Sequence, residues 1–314
     1  PTGRRSVRKR TPIRKRTFSR GTRRGVKRGR MTRRGLLNIT SRKKRDTLMP
    51  TTGTGFIPGN GLPAGVTGGI GLDRGYAMFA FMPFARTAHV DNVAFDNVSN
   101  QAQRTATNCF AKGYRDDIKI STNSSHSWEW RRIVFFFKGP GLISPEGEVD
   151  ALGVAQLLEY DGTPAGDGGA IGYRRKLANL SPESGSGSAG NVIVHDNFVR
   201  AMFRGQPGAD WNNPFNAPIN KDLISVIHDR KRVFRTGNDR GSVWEIKKYH
   251  SINKSLWYND REVGDHMEFS PYSAEIKKSC GDVYIVDLIA PAFGATEDDS
   301  LIFNPTGSVY WHER

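Results

Sequence analysis

The chain has 314 residues, with 47 Lys and Arg against 31 Asp and Glu, a formal net charge of +16 and two cysteines. No run approaches the ~18 consecutive apolar residues of a membrane-spanning helix. Cys109 and Cys280 lie far apart, fit neither a disulfide framework nor a metal cluster, and read as buried free thiols.

The charge is concentrated at one end. Twenty of the 47 cations fall within residues 1–45, which hold no Asp or Glu, so this arm carries +20. The other 27 cations face 31 acids, leaving the body at −4. The arm cations are Arg4, Arg5, Arg8, Lys9, Arg10, Arg14, Lys15, Arg16, Arg20, Arg23, Arg24, Lys27, Arg28, Arg30, Arg33, Arg34, Arg42, Lys43, Lys44 and Arg45. Like charges at this density repel. In the first 35 residues only Val7, Ile13, Phe18, Val26 and Met31 are apolar, too little surface to offset the entropy of ordering, so the arm is expected to be disordered or extended when alone. Fifteen of its cations are Arg, whose planar fork grips phosphate through two bonds and stacks on bases. Counterion release then favours nucleic acid with little sequence preference. All twenty are candidate nucleic-acid-binding residues. A solvated tail is the plain alternative, although acids serve solubility better than bases. The arm shows no amphipathic membrane face, lipidation signal or apolar leader core. The clusters Arg8-Lys9-Arg10, Arg14-Lys15-Arg16 and Arg42-Lys43-Lys44-Arg45 also have the composition of nuclear localisation signals.

Residues 46–75 read as a Gly-rich linker. The stretch TTGTGFIPGNGLPAGVTGGIGLDRG, from Thr51 to Gly75, lacks the GKS/T ending of a phosphate loop. Residues 76–314 form the expected β domain. Segments rich in aromatic and β-branched residues predict strands at Tyr76–Phe84, Tyr114–Thr122, Trp128–Lys138, Asn191–Phe203, Leu223–Thr236, Val243–Tyr258, Val283–Ala290 and Leu301–Trp311. Val283–Ala290 is apolar on both parities apart from Asp287, which suggests cover on both faces. Leu152, Ala155 and Leu158 within Asp150–Tyr160 have helical spacing. The connection from Gly139 to Gly190 is long enough to be functional or to contact a partner. It holds a G-x-G-x-x-G at Gly185, Gly187 and Gly190 that follows no strand and reads as a surface loop. The fold class expected is all-β, a single sandwich or barrel.

No catalytic set stands out. The seven histidines form no H-x-H, H-E-x-x-H or Cys/His group. Asp116-Asp117 with Lys119, and Glu275-x-Lys277, have the composition of nuclease carboxylate sites, but carboxylate beside Lys is common on exposed strands. Trp128, Trp130, Phe135, Phe136 and Phe137 surround Arg131-Arg132, and Trp244, Tyr249, Trp257 and Tyr258 accompany Lys247-Lys248. Such interleaving can clamp single-stranded nucleic acid. The competing reading places the aromatics in a core and the cations in solvent.

Three stretches carry a family resemblance. They are HDRKRVFRTGNDRGSVWEIKKYHSINKSLWYNDREVGD (His228–Asp265), SWEWRRIVFFFKG (Ser127–Gly139) and CGDVYIVDLIAPAF (Cys280–Phe293). Together with the Arg-rich arm, the chain resembles the capsid proteins of genomoviruses (gemycircularviruses), small circular single-stranded DNA viruses. The resemblance implies a single eight-stranded antiparallel jelly roll, self-assembly of about 60 copies into a T=1 icosahedral shell, and packaging of single-stranded DNA by the arm. It further implies a virion protein that passes through the host nucleus, with nuclear import receptors as partners, and no membrane, cofactor, metal or catalytic residues. About 60 arms of twenty cations give roughly 1,200 positive charges against one charge per nucleotide. At about 3.3 Å per residue an extended arm reaches up to roughly 150 Å. Packaged RNA would satisfy the same charge balance. The alternatives are a ribosomal or chromatin type of nucleic-acid-binding protein, and a nuclease built on Asp116, Asp117 and Lys119.

Overall fold

The computed structural model describes residues 32–51, 70–72, 75–88, 101–139, 141–143, 158–161, 172–177, 179–181 and 189–313. Contacts divide the chain into Pro1–Ile39 and Thr40–Arg314. In the first unit the described element is helix α1 (Arg33–Thr40). Thr32 starts it, its Oγ1 accepting from the Gly35 N–H at 3.1 Å, as an N-cap does.

The body is all-β with antiparallel main sheets. Its strands are β1 (Arg42–Leu48), β2 (Pro50–Thr51), β3 (Ile70–Leu72), β4 (Ala77–Phe81), β5 (Asn108–Thr122), β6 (Trp128–Phe137), β7 (Leu158–Asp161), β8 (Gly172–Lys176), β9 (Ser225–Phe234), β10 (Val243–Trp257), β11 (Arg261–Val263), β12 (His266–Glu268), β13 (Asp282–Pro291) and β14 (Leu301–Glu313). Helix α2 (Ala189–Met202) lies between β8 and β9 in the chain. One large sheet has the order β1-β14-β5-β10, with β3 also on β14; the other has the order β4-β13-β6-β9. The smaller sheets are β2-β8-β7 and β11-β12.

The two large sheets pack face to face. Phe79 of β4 stacks on Phe303 of β14 with centroids 5.8 Å apart, and Phe81 meets Tyr114 of β5 at 5.5 Å. The far side of the β4-β13-β6-β9 sheet is covered as well. Met78, Ile133, Phe135, Tyr284, Val286 and Leu288 pack against Val194, Phe198 and Met202 of α2 and against Phe215, Ala217 and Ile224. Burial on both faces explains why β13 is apolar on both parities, as its sequence suggests. The other large sheet has one inner face; its outer residues alternate to solvent along β14 and β10.

Three expectations need correction. Asn191–Phe203 is not a strand but most of α2. Its β-branched start imitates a strand, yet Val194, Phe198 and Met202 recur every fourth residue and cover the sheet together. Short strands raise the number to fourteen among the described residues, against eight expected. The first body strand, β1, begins at Arg42, inside the stretch assigned to the arm, and β1 with β2 and β3 occupies parts of the stretch assigned to the linker. The helix expected at Asp150–Tyr160 lies outside the described residues up to 157, and Leu158–Asp161 is strand β7. Residues 52–69, Gly185 and Gly187 also lie outside the described residues, while Gly190 is in α2.

Candidate nucleic-acid interface

Of the arm residues, Arg4, Arg5, Arg8, Lys9, Arg10, Arg14, Lys15, Arg16, Arg20, Arg23, Arg24, Lys27, Arg28 and Arg30 lie outside the described residues; Arg33 and Arg34 are in α1. The last four are in β1, which pairs with β14 from Arg42 opposite Glu313 to Leu48 opposite Gly307. Alternation sends them to opposite faces. Arg42, Lys43 and Arg45 are exposed, whereas Lys44 is buried. The Lys44 ammonium sits 3.1 Å from the Glu313 carboxylate and donates to the Gln103 carbonyl at 2.7 Å. Lys44 is therefore corrected from nucleic-acid ligand to structural cation. Glu313 also accepts from Thr105 Oγ1 and Trp311 Nε1. Burial pushes its carboxyl up, but the Thr105, Trp311 and Lys44 donors outweigh that and hold it below the usual range.

Two of the exposed β1 cations, Lys43 and Arg45, belong to a larger surface. Lys43 lies opposite His312 and Arg45 opposite Tyr310 on β14. With Gln101, Lys112 and Tyr249 they line a cleft of about 510 Å³ on the outer face of the sheet. Among the described residues no carboxylate lines it, and Lys44, which also lines it, is paired with Glu313. Two irregularities shape it. β10 shifts register between Ser251 and Lys254, where Asn253 adopts φ 49°, and β14 shifts between Tyr310 and Trp311. Such bulges re-aim side chains. The Asn253 amide oxygen accepts from Lys112 Nζ at 2.8 Å, which holds that cation at the cleft. Tyr249, 52% exposed, and Tyr310 present rings 6.5 Å apart at 55°. Burial, then Lys112 and Lys43, lower the pKa of His312, so it is neutral at pH 7 and is available as a flat ring or a single donor. Cations beside exposed aromatic faces provide the phosphate contacts and base stacking that hold single strands. Sequence reading did not bring these residues together. Tyr249 stood among the aromatics singled out, but Lys112, Tyr310 and His312 meet it only through the β10-β5-β14-β1 register.

The aromatics and cations singled out in β6 are structural. Trp128, Trp130, Phe135 and Phe136 are buried, and so are Arg131 and Arg132 between them. Arg131 forks onto Asp229 at 2.9 and 2.8 Å and donates to the Pro214, Phe215 and Ala217 carbonyls, bracing the loop over the sheet. Arg132 forks onto Asp287 at 2.7 and 2.8 Å and reaches Asp116 at 2.6 Å. Arg175 of β8 donates to Asp116 at 3.1 Å and to Asp287 at 2.9 Å. This closed square of two arginines and two carboxylates is almost fully buried. Burial pushes the Asp287 carboxyl up, but Arg132 and then Arg175 overcome it and hold it low.

The square separates the two carboxylates of the Asp116-Asp117 pattern. Asp116 points inward and is fully engaged, while its neighbour Asp117 points outward to Arg115 at 3.0 Å. A metal-dependent site needs its carboxylates convergent. Among the described residues no group of three His, Cys, Asp or Glu could hold a metal ion. Cys109 is buried and Cys280 half-buried, both as free thiols; burial raises the Cys280 thiol to about 11, leaving it protonated.

The family-like strings also have structural roles. In GNDRG, Gly241 turns the chain from β9 to β10 at φ +74°, and a Cβ there would fall on the Thr122 carbonyl. In WYND, the Tyr258 hydroxyl donates to the Phe84 carbonyl at 2.7 Å, and Asp260 takes a fork from Arg104 at 2.7 and 3.0 Å while Arg104 lies 3.8 Å over the Tyr258 ring. The chain matches no protein-family model and no curated protein sequence.

Proposed function

We propose that the protein is a structural capsid protein of a small single-stranded DNA virus of the genomovirus kind, a jelly roll that assembles into a closed shell and packages DNA with its basic arm. The strand order carries the reading. Taking the eight strands of the two large sheets in chain order and setting β3 aside, the first pairs with the eighth (β1·β14), the second with the seventh (β4·β13), the third with the sixth (β5·β10) and the fourth with the fifth (β6·β9). An antiparallel ribbon of eight strands wound into two facing sheets is the jelly-roll plan, which recurs in viral shells. Sixteen of the twenty arm cations precede the first of these strands and the other four lie in it, and the basic cleft opens on the outer face of the same sheet. The resemblance of three segments to genomovirus capsid proteins agrees with that plan. In this reading the arm neutralises the packaged strand, import receptors read its clusters in the host, and the cleft holds an ordered part of the strand. The body then serves self-association and has no catalytic duty. A ribosomal or chromatin type of nucleic-acid-binding protein would share the arm but would not form shells. Expression with DNA followed by negative-stain electron microscopy tests the proposal. Uniform small spheres are expected; a folded protein that remains monomeric with DNA present overturns it.

A further inference from the structure

A second basic cleft opens elsewhere, at the edge of the sandwich where β9 and β10 end the two large sheets. The register decides which side chains turn inward there. Arg230 lies opposite Arg132, Arg232 opposite Trp130 and His228 opposite Val134, and those three partners are buried. On β10, Lys248 lies opposite the buried Asp116 and His250 opposite the buried Tyr114. His228, Arg230, Arg232 and Lys248 thus converge on a cleft of about 510 Å³ with Trp130 and Arg132 at its base. His250 packs edge-on against His228, ring centroids 5.0 Å apart.

The charges around this cleft do not balance. Among the described residues no Asp or Glu lines it. Asp116 and Asp287 are taken by Arg132 and Arg175, and Asp229 is held by Arg131. Arg230, Arg232 and Lys248 form no ion pair among the described residues. Both imidazoles also leave Nε2 buried without a hydrogen-bond partner among the described residues, His250 being 4% exposed. A buried unpaired polar atom costs stability, and so do like charges at the mouth of a low-dielectric gap. The rings respond by staying neutral: burial, then Lys248, Arg132 and Arg230, lower the His228 pKa, with Asp229 opposing. Burial, Arg132 and His228 lower that of His250 to about 4, with Asp116 and Asp287 opposing.

We propose that this cleft is a binding site for a phosphate group, held by Arg230 and Lys248 with the His228 imidazole as a further donor. A tetrahedral anion meets a guanidinium fork, a point charge and an imidazole together, and it supplies the missing negative charge. The inference goes beyond the packaging arm and does not depend on shell formation. The phosphate can come from a polynucleotide backbone or from a free phosphate ion.

Titration calorimetry on the full-length chain, with a short oligothymidylate and with inorganic phosphate as probes, tests the proposal. The arm contributes equally to every variant and contains no histidine, so differences between variants and with pH report on the body. Arg230→Gln with Lys248→Gln is expected to weaken oligothymidylate binding about tenfold or more. Wild-type binding should strengthen as pH falls from about 7.5 to about 5.5, because a bound anion raises the imidazole pKa and binding then takes up protons. His228→Gln should flatten that pH response, which provides an independent reading if the double variant folds poorly. Competition by inorganic phosphate assigns the site to the free ion, and its failure to compete assigns it to the backbone. Equal oligothymidylate affinity, within about twofold, for wild type and a double variant with an unchanged urea midpoint overturns the proposal; so does a pH response that survives in His228→Gln.

Discussion

Asp116→Asn keeps the size of the side chain and removes one of the two negative charges in the buried square. Asp116 accepts from Arg132 at 2.6 Å, from Arg175 at 3.1 Å and from the Tyr114 hydroxyl at 3.3 Å, with both arginines at most 1% exposed. After the change, two guanidinium ions share Asp287, and no solvent is near enough to spread the excess charge. Removing one partner of a buried pair costs about 3–5 kcal/mol, and here two arginines lose the same partner, so the upper half of that range is expected. That is a large part of the about 5–15 kcal/mol that holds a domain together. Urea denaturation followed by tryptophan fluorescence should show a lower midpoint with a similar slope. Asp117→Asn is the matched control. Its pair with Arg115 is about half exposed, so less than about 1 kcal/mol is expected. A loss below about 1 kcal/mol for Asp116→Asn, or equal losses at the two positions, would refute the reasoning. A paired-carboxylate nuclease predicts the opposite outcome, in which both changes abolish cleavage and neither alters stability.

Gly241→Ala forces a Cβ onto the Thr122 carbonyl at a left-handed φ and should cost at least about 2 kcal/mol in the same urea assay, since the backbone conformation alone accounts for about 1–2 kcal/mol. Lys112→Ala should lower the magnitude of the log–log salt slope for oligothymidylate binding by about 0.7, the single-strand value for one phosphate. Tyr249→Ala should weaken that binding by about 1–3 kcal/mol with the slope unchanged, the signature of lost stacking. His250 has a folded pKa of about 4 against an ordinary 6.5. Its stabilisation is therefore present above pH 6.5 and is lost as pH falls towards 4, by about 3 kcal/mol over the full shift. His250→Leu should flatten the stability profile on its acid side. Asp282 runs the other way: burial raises its carboxyl to about 6 from 3.8, so its contribution falls as pH rises through that window. A pH-stability series on His250→Leu and Asp282→Asn separates the two.

The β character of the body was legible because its long strands carry the signals that sequence reading uses. β10 alternates, with Ile246, His250 and Ile252 inward, and β13 is apolar on both parities because sheet and helix cover it from both sides. Two elements escaped for opposite physical reasons. In α2 the local composition favours a strand, but tertiary cover selects every fourth residue and wins. In β1 the composition is that of a polycation, and no local signal marks it as a strand. It is one because its inward side chains find partners distant in the chain: Lys44 with Glu313, Leu48 in the core, and Asp46 in a 2.7 Å pair with Arg86.

The same argument explains which parts of the charge pattern could be read. Net charge along the arm is a property of composition, so twenty cations without an acid can be read from the sequence in any conformation. Inside the body, composition misleads. Arg131-Arg132 among aromatics has the look of a nucleic-acid clamp, yet both guanidiniums are buried against carboxylates, because alternation and a distant strand decide where each charge points. The cleft residues show the converse. Lys43 and Arg45 are adjacent to Lys44 in the chain but on the opposite face of the strand, and they meet Lys112, Tyr249 and Tyr310 across three other strands. Among Lys43, Lys44 and Arg45, alternation therefore sends one cation into the fold and two to the outer face. The boundary between arm and body is not a point in the sequence but an alternation that begins at Arg42.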